Sequence, residues 1–293
     1  MLVTTRSDEL RSALGFGSPP QRAIALVPTM GALHEGHLSL VRRARTENQL
    51  LVVSIFVNPL QFSAGEDYQR YPRDSDADIA LLEREGADIV FAPDPEGYVP
   101  AWHRTVVRVE GPLTSTLEGG VRPGHFEGVA TIVAKLLSSV GPERAYFGEK
   151  DYQQLLVVRR MVHDLDIPTQ IVACPIVRDA DGLALSSRNA YLSPSQRQRA
   201  LALPSALREA AAAWDGDADS ARVLLHRRLQ AASGISLDYA EVVDPMTLDP
   251  LGGIIDSPAR ALAAVRVGDT RLIDNVGLGQ PEIQPRPADT EEL

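Results

Sequence analysis

The stretch Val27–Leu40, VPTMGALHEGHLSL, places two glycines and two histidines three residues apart between an apolar run and a leucine-bearing segment. The run before it, RAIALVP (22–28), is short, unbroken in its apolar character and closed by proline, which predicts a buried strand. The segment after it, HLSLVRRARTEN, sets Leu38, Leu40 or Val41, and Ala44 at helical spacing with charge on the other face. A strand, a glycine-containing turn and a helix beginning near Glu35 or Gly36 make the opening unit of a parallel α/β sheet. The first turn of a helix carries unpaired N–H groups and a partial positive charge, so an anion fits there. Gly31 and Gly36 let such an anion approach the backbone, and His34 and His37, at i and i+3, fall on one side of the turn. Both can then donate to one phosphate chain and stabilise charge passing to a leaving pyrophosphate. Two other readings stand beside this one. The pair is a cap or a solvated pair, or it is a metal site, for which no third ligand lies at helical spacing.

The same alternation continues outward. LLVVSIFVNP (50–59) and ADIVFAP read as further buried strands, and DSDADIALLEREG as a helix with acids in its first turn and Gly86 as its stop. GVATIVAKLLSSVG is a helix, RAYFGEK a strand with its exit loop, DYQQLLVVRRMVHDL a helix and TQIVACPIV a strand. Unbroken apolar strands alternating with helices predict an α/β fold with a Rossmann-like parallel sheet covered on both faces. From about residue 193 the chain becomes rich in Ala and Arg, with helices around Pro204, and then reads as strands with turns in LDYAEVVDP and ARALAAVRVGDTRLIDNV. The expected division is 1–190 for the Rossmann-like domain and 191–278 for a smaller α/β C-terminal domain. The tail 279–293, with three prolines and four acids, is expected to be disordered.

Composition excludes several function classes. The 293 residues carry a net charge of −10, and the pI is near 5.1, against a nucleic-acid-coating surface, which needs clustered Lys and Arg. A local cationic pocket for a small anion is compatible with that charge. The single cysteine, Cys174, excludes an intramolecular disulfide and a multi-cysteine metal site, and its setting in IVACPIV is that of a buried strand residue. The N-terminus MLVTTRSDEL has charge where a secretory leader needs an apolar core, and no run approaches the roughly 20 apolar residues of a membrane span. The expected setting is the cytoplasm, with no nucleic-acid or membrane partner.

Four further stretches carry chemistry. GLALSSRNAYLS (182–193) offers Ser186 and Ser187 followed by Arg188, hydroxyls and a guanidinium suited to phosphate oxygens, or else a turn with a helix cap. In FGEKDYQQ (147–154), Lys150 suits a phosphate, Asp151 a ribose hydroxyl or a cap, and Gln154 a small polar substrate; the bland reading is a solvated ion pair and a cap. IFVNPLQF (55–62) presents the neutral amide of Gln61 just beyond an Asn-Pro turn. LEGGVRPGHFEGV (117–129), with Arg122 and His125, reads as a mobile loop or a second anion-contacting element. Together they place polar and cationic groups at strand-to-helix exits, where open parallel sheets bind ligands.

Taken in order, PTMGALHEGH, SIFVNPLQF, YPRD, RPGHFEGVATIVAKL, FGEKDYQQ and DGLALSSRNAYL resemble the pantoate–β-alanine ligase (pantothenate synthetase) family. That family lies within the HxGH nucleotidylyl-transferase superfamily, and the resemblance runs from about residue 22 to residue 276. It implies a Rossmann-like domain with a C-terminal lid domain, a cytoplasmic homodimer, and ATP and Mg²⁺ as substrate and cofactor. The implied reaction joins ATP and (R)-pantoate into pantoyl adenylate and pyrophosphate, after which the β-alanine amine displaces AMP to give pantothenate. Carried onto this chain, Met30, Gly31, Ala32, Leu33, His34, Glu35, Gly36 and His37 contact ATP, with His34 and His37 on its phosphates. Gly148, Glu149, Lys150 and Asp151 also contact ATP, Val177 meets the adenine through its backbone, and Leu185, Ser186, Ser187 and Arg188 close over the triphosphate. The implied catalytic set is His37, His34, Lys150, Ser186, Ser187 and Arg188. Gln61 is implied to hold pantoate and β-alanine, and Gln154 pantoate. Two positions depart from the family pattern. Leu185 stands where Met is common, a volume-conserving exchange. Ala77-Asp78 stands where paired acids are often assigned to magnesium, leaving Asp78 as the metal ligand the resemblance implies. The rival readings are a nucleotidyltransferase that stops after AMP transfer and a non-catalytic ATP-sensing module.

Overall fold

The structure, a computed structural model, describes residues 1–15, 23–63 and 65–279. The expected disordered tail lies, from residue 280 on, outside the described residues. The chain opens with β1 (Leu2–Thr4), α1 (Ser7–Ala13), β2 (Ile24–Thr29), α2 (Glu35–Glu47), β3 (Leu50–Ile55), α3 (Ser75–Arg84) and β4 (Ile89–Phe91). Three short helices follow, α4 (Pro95–Tyr98), α5 (Pro112–Ser115) and α6 (Leu117–Val121), and then α7 (His125–Val140), β5 (Arg144–Gly148), α8 (Tyr152–Asp164) and β6 (Gln170–Cys174). The remainder is α9 (Pro194–Ala200), α10 (Ala202–Ala212), α11 (Ala218–Ala231), β7 (Ser236–Val243), β8 (Ala259–Val267) and β9 (Thr270–Leu278).

β1 to β6 form one parallel sheet in the order β1-β4-β3-β2-β5-β6. Its strands are unbroken apolar runs because helices cover both faces: Ala25, Leu26 and Val27 of β2 and Leu51, Val52 and Val53 of β3 are all fully buried. Strand order reverses at β2, with β3 beside it on one edge and β5 on the other, which makes the carboxyl ends of β2 and β5 the crevice of the sheet. The pairing of β2 with β5 ends at Leu26↔Ala145, two residues before Pro28, whose nitrogen has no hydrogen to give. Helix α2 returns over the sheet on Leu38, Leu40, Val41 and Ala44, as its spacing predicts.

The chain divides into two compact units, the first Met1–Cys174 with Leu185–Ala190 and the second Pro175–Ala184 with the chain from Tyr191 onward. Residues 175–184, placed in the first domain on sequence grounds, thus cluster with the second. Arg178 is the physical reason: its guanidinium pairs at 2.6 Å with the buried carboxylate of Asp274 on β9. An antiparallel bridge, Arg178↔Ala184, closes the intervening hairpin. The second unit holds an antiparallel sheet, β7-β8-β9, whose apolar face shares a core with α10 and α11 through Leu203, Leu207, Leu225, Leu229, Val242 and Val265. Pro204 falls in the first turn of α10, where no intrahelical N–H is required.

The glycine-rich stretch 117–129 is not a loop. It forms α6 and the first turns of α7, and a side chain at Gly128 would lie 2.3 Å from the Leu60 carbonyl oxygen. The glycine serves close packing of α7 on the turn that carries Gln61. Among the described residues, no helix is long and apolar enough to cross a membrane.

Candidate active site

The turn between β2 and α2 is tightly determined. Thr29 donates through Oγ1 to the Ser54 carbonyl at 2.7 Å and accepts the Gly31 N–H at 3.2 Å. Gly31 and Ala32 then both take positive φ, +76° and +49°, a conformation glycine adopts freely and alanine does not. His34 is the N-cap of α2, and its N–H donates to His37 Nδ1 at 3.4 Å with the ring centroids 4.0 Å apart. With Nδ1 accepting, the proton of a neutral His37 sits on Nε2. Desolvation, reinforced by His34, pushes the His37 pKa down to about 3, so at neutral pH this ring is uncharged and its Nε2–H can serve a ligand as a neutral donor. Glu35 turns outward to pair with Arg42.

Asp78, in the first turns of α3, reaches back to this turn. Its Oδ2 accepts the Ala32 N–H and its Oδ1 the Leu33 N–H, each at 2.8 Å, and the residue is 3% exposed. Magnesium prefers open carboxylate oxygens together with phosphates and water. Both Asp78 oxygens are instead directed at backbone donors behind the turn. Among the described residues, no group of three or more His, Cys, Asp or Glu is placed to hold a metal ion. With both of its oxygens committed to the Ala32 and Leu33 N–H groups, Asp78 does not fit the metal-ligand assignment.

The 185–190 segment lies against the same turn. Ser187 donates through Oγ to the Ala32 carbonyl at 3.1 Å, and a side chain at Gly36 would meet Leu185 Cβ at 3.5 Å. Ser186 Oγ accepts the Arg188 N–H at 3.3 Å. The Arg188 guanidinium makes a two-pronged pair with Asp67, both bonds at 2.9 Å, and lies 5.9 Å from the ring centroid of Tyr71. Burial opposes its charge, but the Asp67 carboxylate prevails and its pKa is raised. Tyr71 in turn donates to Ser187 Oγ at 3.5 Å.

Beyond β5, a 3₁₀ turn over Glu149–Asp151 follows Gly148 and sets Lys150 Nζ 3.8 Å from Asp151 Oδ2. Both charges act on the His37 ring, Asp151 raising and Lys150 lowering its pKa, which places them beside the first motif. One turn into α8, two adjacent glutamines part company. Gln153 is buried, with its amide committed to Glu118, Leu113 and Thr116, while Gln154 is half-buried and free of that network.

Gln61 is held from both ends. Its Oε1 accepts from Asn58 Nδ2 at 3.0 Å and its Nε2 donates to Met30 Sδ at 3.1 Å. Its carbonyl accepts from Arg122 at 3.3 Å and meets His125 Nδ1 at 2.9 Å. Burial pushes the His125 pKa down to about 4, so the neutral ring donates from Nδ1 and accepts from Arg122 through Nε2 at 3.1 Å. Arg122 completes a two-pronged pair with Glu66, both bonds at 2.7 Å. Arg122 and His125, read from sequence as mobile or anion-contacting, are thus committed to the Gln61 backbone.

The structure brings Met30–His37, Gln61, Lys150, Asp151 and Leu185–Arg188 together at the carboxyl end of the parallel sheet. Val177 belongs to the second unit, and Gln154 stands one turn beyond Asp151. Asn58, Asp67 and Tyr71 escaped the sequence reading. Asn58 left one signal, an Asn-Pro turn at a strand exit, and Tyr71 stands at the head of YPRD with nothing local to announce its task; Asp67 left none, and the partners of both lie more than a hundred positions away.

The chain matches the sequence profile described as pantoate-beta-alanine ligase over residues 2–277. It is 53% identical to pantothenate synthetase of Corynebacterium efficiens over 95% of this chain and 99% of that one. It is also 54% identical to pantothenate synthetase of Thermus thermophilus, over 92% and 96% of the two chains. A crystal structure of the Thermus thermophilus enzyme superposes with a TM-score of 0.89 at 51% identity, over 97% of this chain and all of that one. The Francisella tularensis pantoate-beta-alanine ligase, crystallised with beta-gamma ATP and beta-alanine, gives 0.79 at 34%, over 94% and 97%. The chain belongs to the pantoate–β-alanine ligase family.

Proposed function

We propose that the chain condenses (R)-pantoate with β-alanine at the expense of ATP, through a pantoyl-adenylate intermediate, and releases pyrophosphate and AMP. The observation that carries this reading is the docking of Ser187 and the Arg188 segment on the turn that bears His34 and His37, with Lys150 alongside. Pantoate's carboxylate attacks the α-phosphorus, and the bond to the bridging oxygen breaks with its electron pair leaving on pyrophosphate. Attack of one anion on another is disfavoured, and Lys150 and Arg188 offset the repulsion. His34 and His37 act as hydrogen-bond donors to the departing phosphates, a role that suits a neutral ring. Gln61, fixed by Asn58 and Met30, orients pantoate together with Gln154, and Gln61 then receives β-alanine. The amine attacks the acyl carbon, AMP leaves with the acyl oxygen pair, and the amine proton passes to solvent. Holding both reactants in line supplies several kcal/mol of the barrier reduction, of order 7–11 kcal/mol in the best-oriented cases.

Gly148 and Asp151 take the nucleoside side of ATP in this reading, and Val177 the adenine. Magnesium enters with the nucleotide, its ligands drawn from phosphate oxygens and water. The reading carries a cytoplasmic location and a homodimer, as the sequence resemblance implies.

The test supplies ATP and pantoate with and without β-alanine and follows pyrophosphate and AMP separately. The expected result is pyrophosphate release limited to about one equivalent without the amine and continuous equimolar AMP and pyrophosphate with it. Pyrophosphate without amine-dependent AMP would instead identify a nucleotidyltransferase, and ATP binding without turnover a sensing module.

A further inference from the structure

We infer that Asp78 is a positioning residue for the ligation, holding the Gly31–Leu33 turn in the shape that presents His34 and His37, and that it is not a metal ligand. The turn needs holding. Two consecutive residues at positive φ include Ala32, whose Cβ crowds its own backbone in that region. Asp78 offsets that crowding with two short bonds to successive N–H groups, made from a carboxylate almost wholly removed from water. Its place near the N-terminus of α3 suits a negative charge, and its own N–H is fixed to the Asp74 carbonyl at 3.0 Å. The fit is close on the other side as well: a side chain at Gly31 would stand 2.8 Å from Asp78 Oδ2 and 3.1 Å from Ile55.

Two consequences follow for the chemistry. The Ala32 and Leu33 N–H groups point at Asp78 and are not available to a phosphate, so contact with the triphosphate falls to side chains and to the first turn of α2. The Ala32 carbonyl, in the same peptide unit as the Leu33 N–H, is the acceptor for Ser187. A turn that relaxes therefore misplaces the histidine pair and Ser187 together.

The inference rests on the proposed nucleotide role of this turn, and the experiment separates the two. In Asp78→Asn the amide accepts one N–H and sets its own NH₂ against the other, leaving one buried donor unpaired. The expected outcome is a rise of about tenfold in the KM for ATP, the scale of one such orphaned group, with the magnesium concentration for half-maximal rate unchanged. A magnesium requirement that rises with the KM would mark Asp78 as a metal ligand and overturn the inference; an unchanged KM would overturn it too. Should the variant fail to fold, hydrogen exchange on the wild-type chain in chelator and without nucleotide decides the matter. Protection of the Ala32 and Leu33 amides to the level of the neighbouring strand supports the clamp, and exchange at open-loop rates refutes it. Failure of the nucleotide reading would show differently, as a wild-type chain with protected amides and no ATP turnover.

Discussion

His37 and His125 are both imidazoles held neutral, one against the His34 amide and one against the Gln61 carbonyl. Desolvation pushes their pKa values to about 3 and about 4, against about 6.5 in an unfolded chain. Between those limits the unfolded state binds protons that the folded state refuses, so stability is full above about pH 6.5 and is lost as pH falls. Each ring contributes at most ~1.4 kcal/mol per pH unit in that window. Urea unfolding from pH 8 to 4.5 should therefore be flat above neutrality and fall on acidification. The fall should be shallower in a His37→Gln/His125→Gln chain; equal slopes in the two proteins would mean the rings are not held neutral. At this scale the sequence exposes His34, His37, Lys150 and Arg188 because each sits in a compact motif. It conceals Asp78's task, since an acid in the first turns of a helix looks the same whether it faces water, a metal or two distant N–H groups.

The 3₁₀ turn Asp67–Gln69 and the 185–190 segment meet through one ion pair. Without nucleotide, Asp67 neutralises a guanidinium that is largely removed from water; with nucleotide, phosphate oxygens compete for the same fork of donors. Asp67→Asn leaves Arg188 beside Tyr71 with its anion gone, at a cost of roughly 1–3 kcal/mol to the nucleotide-free protein. Phosphate then has no ion pair to displace. The thermal midpoint of the variant should start lower and rise more on adding saturating ATP than that of the wild type. An equal or smaller ATP-induced rise would show that Asp67 does not compete with the ligand. Elements of this kind are unevenly legible. The strands and the long helices follow from apolar runs and 3.6-residue spacing, whereas α4 to α6 leave no period to read. The 117–129 stretch misleads because glycine marks both freedom and close approach, and only the neighbouring Leu60 carbonyl distinguishes them.

At the scale of the whole molecule, the alternation of apolar strands and helices is enough to anticipate a parallel sheet, and the family resemblance supplies its ligands. The division of the chain is harder to read. Residues 175–184 belong with the second unit because Arg178 finds Asp274 some ninety-six positions later, a pairing that no local composition announces. The reversal of strand order at β2 gathers the first motif, the β5 exit and the 185–190 segment in one unit, and the central claim is that these three grip a single triphosphate. A structure of the complex with pantoate and a non-hydrolysable ATP analogue tests it most directly. The account predicts phosphate oxygens within hydrogen-bond distance of His37 Nε2, Lys150 Nζ and the Arg188 guanidinium, with Asp78 still bonded to the Ala32 and Leu33 amides. A triphosphate bound elsewhere, with Arg188 still paired to Asp67 and no phosphate at His37, would contradict it.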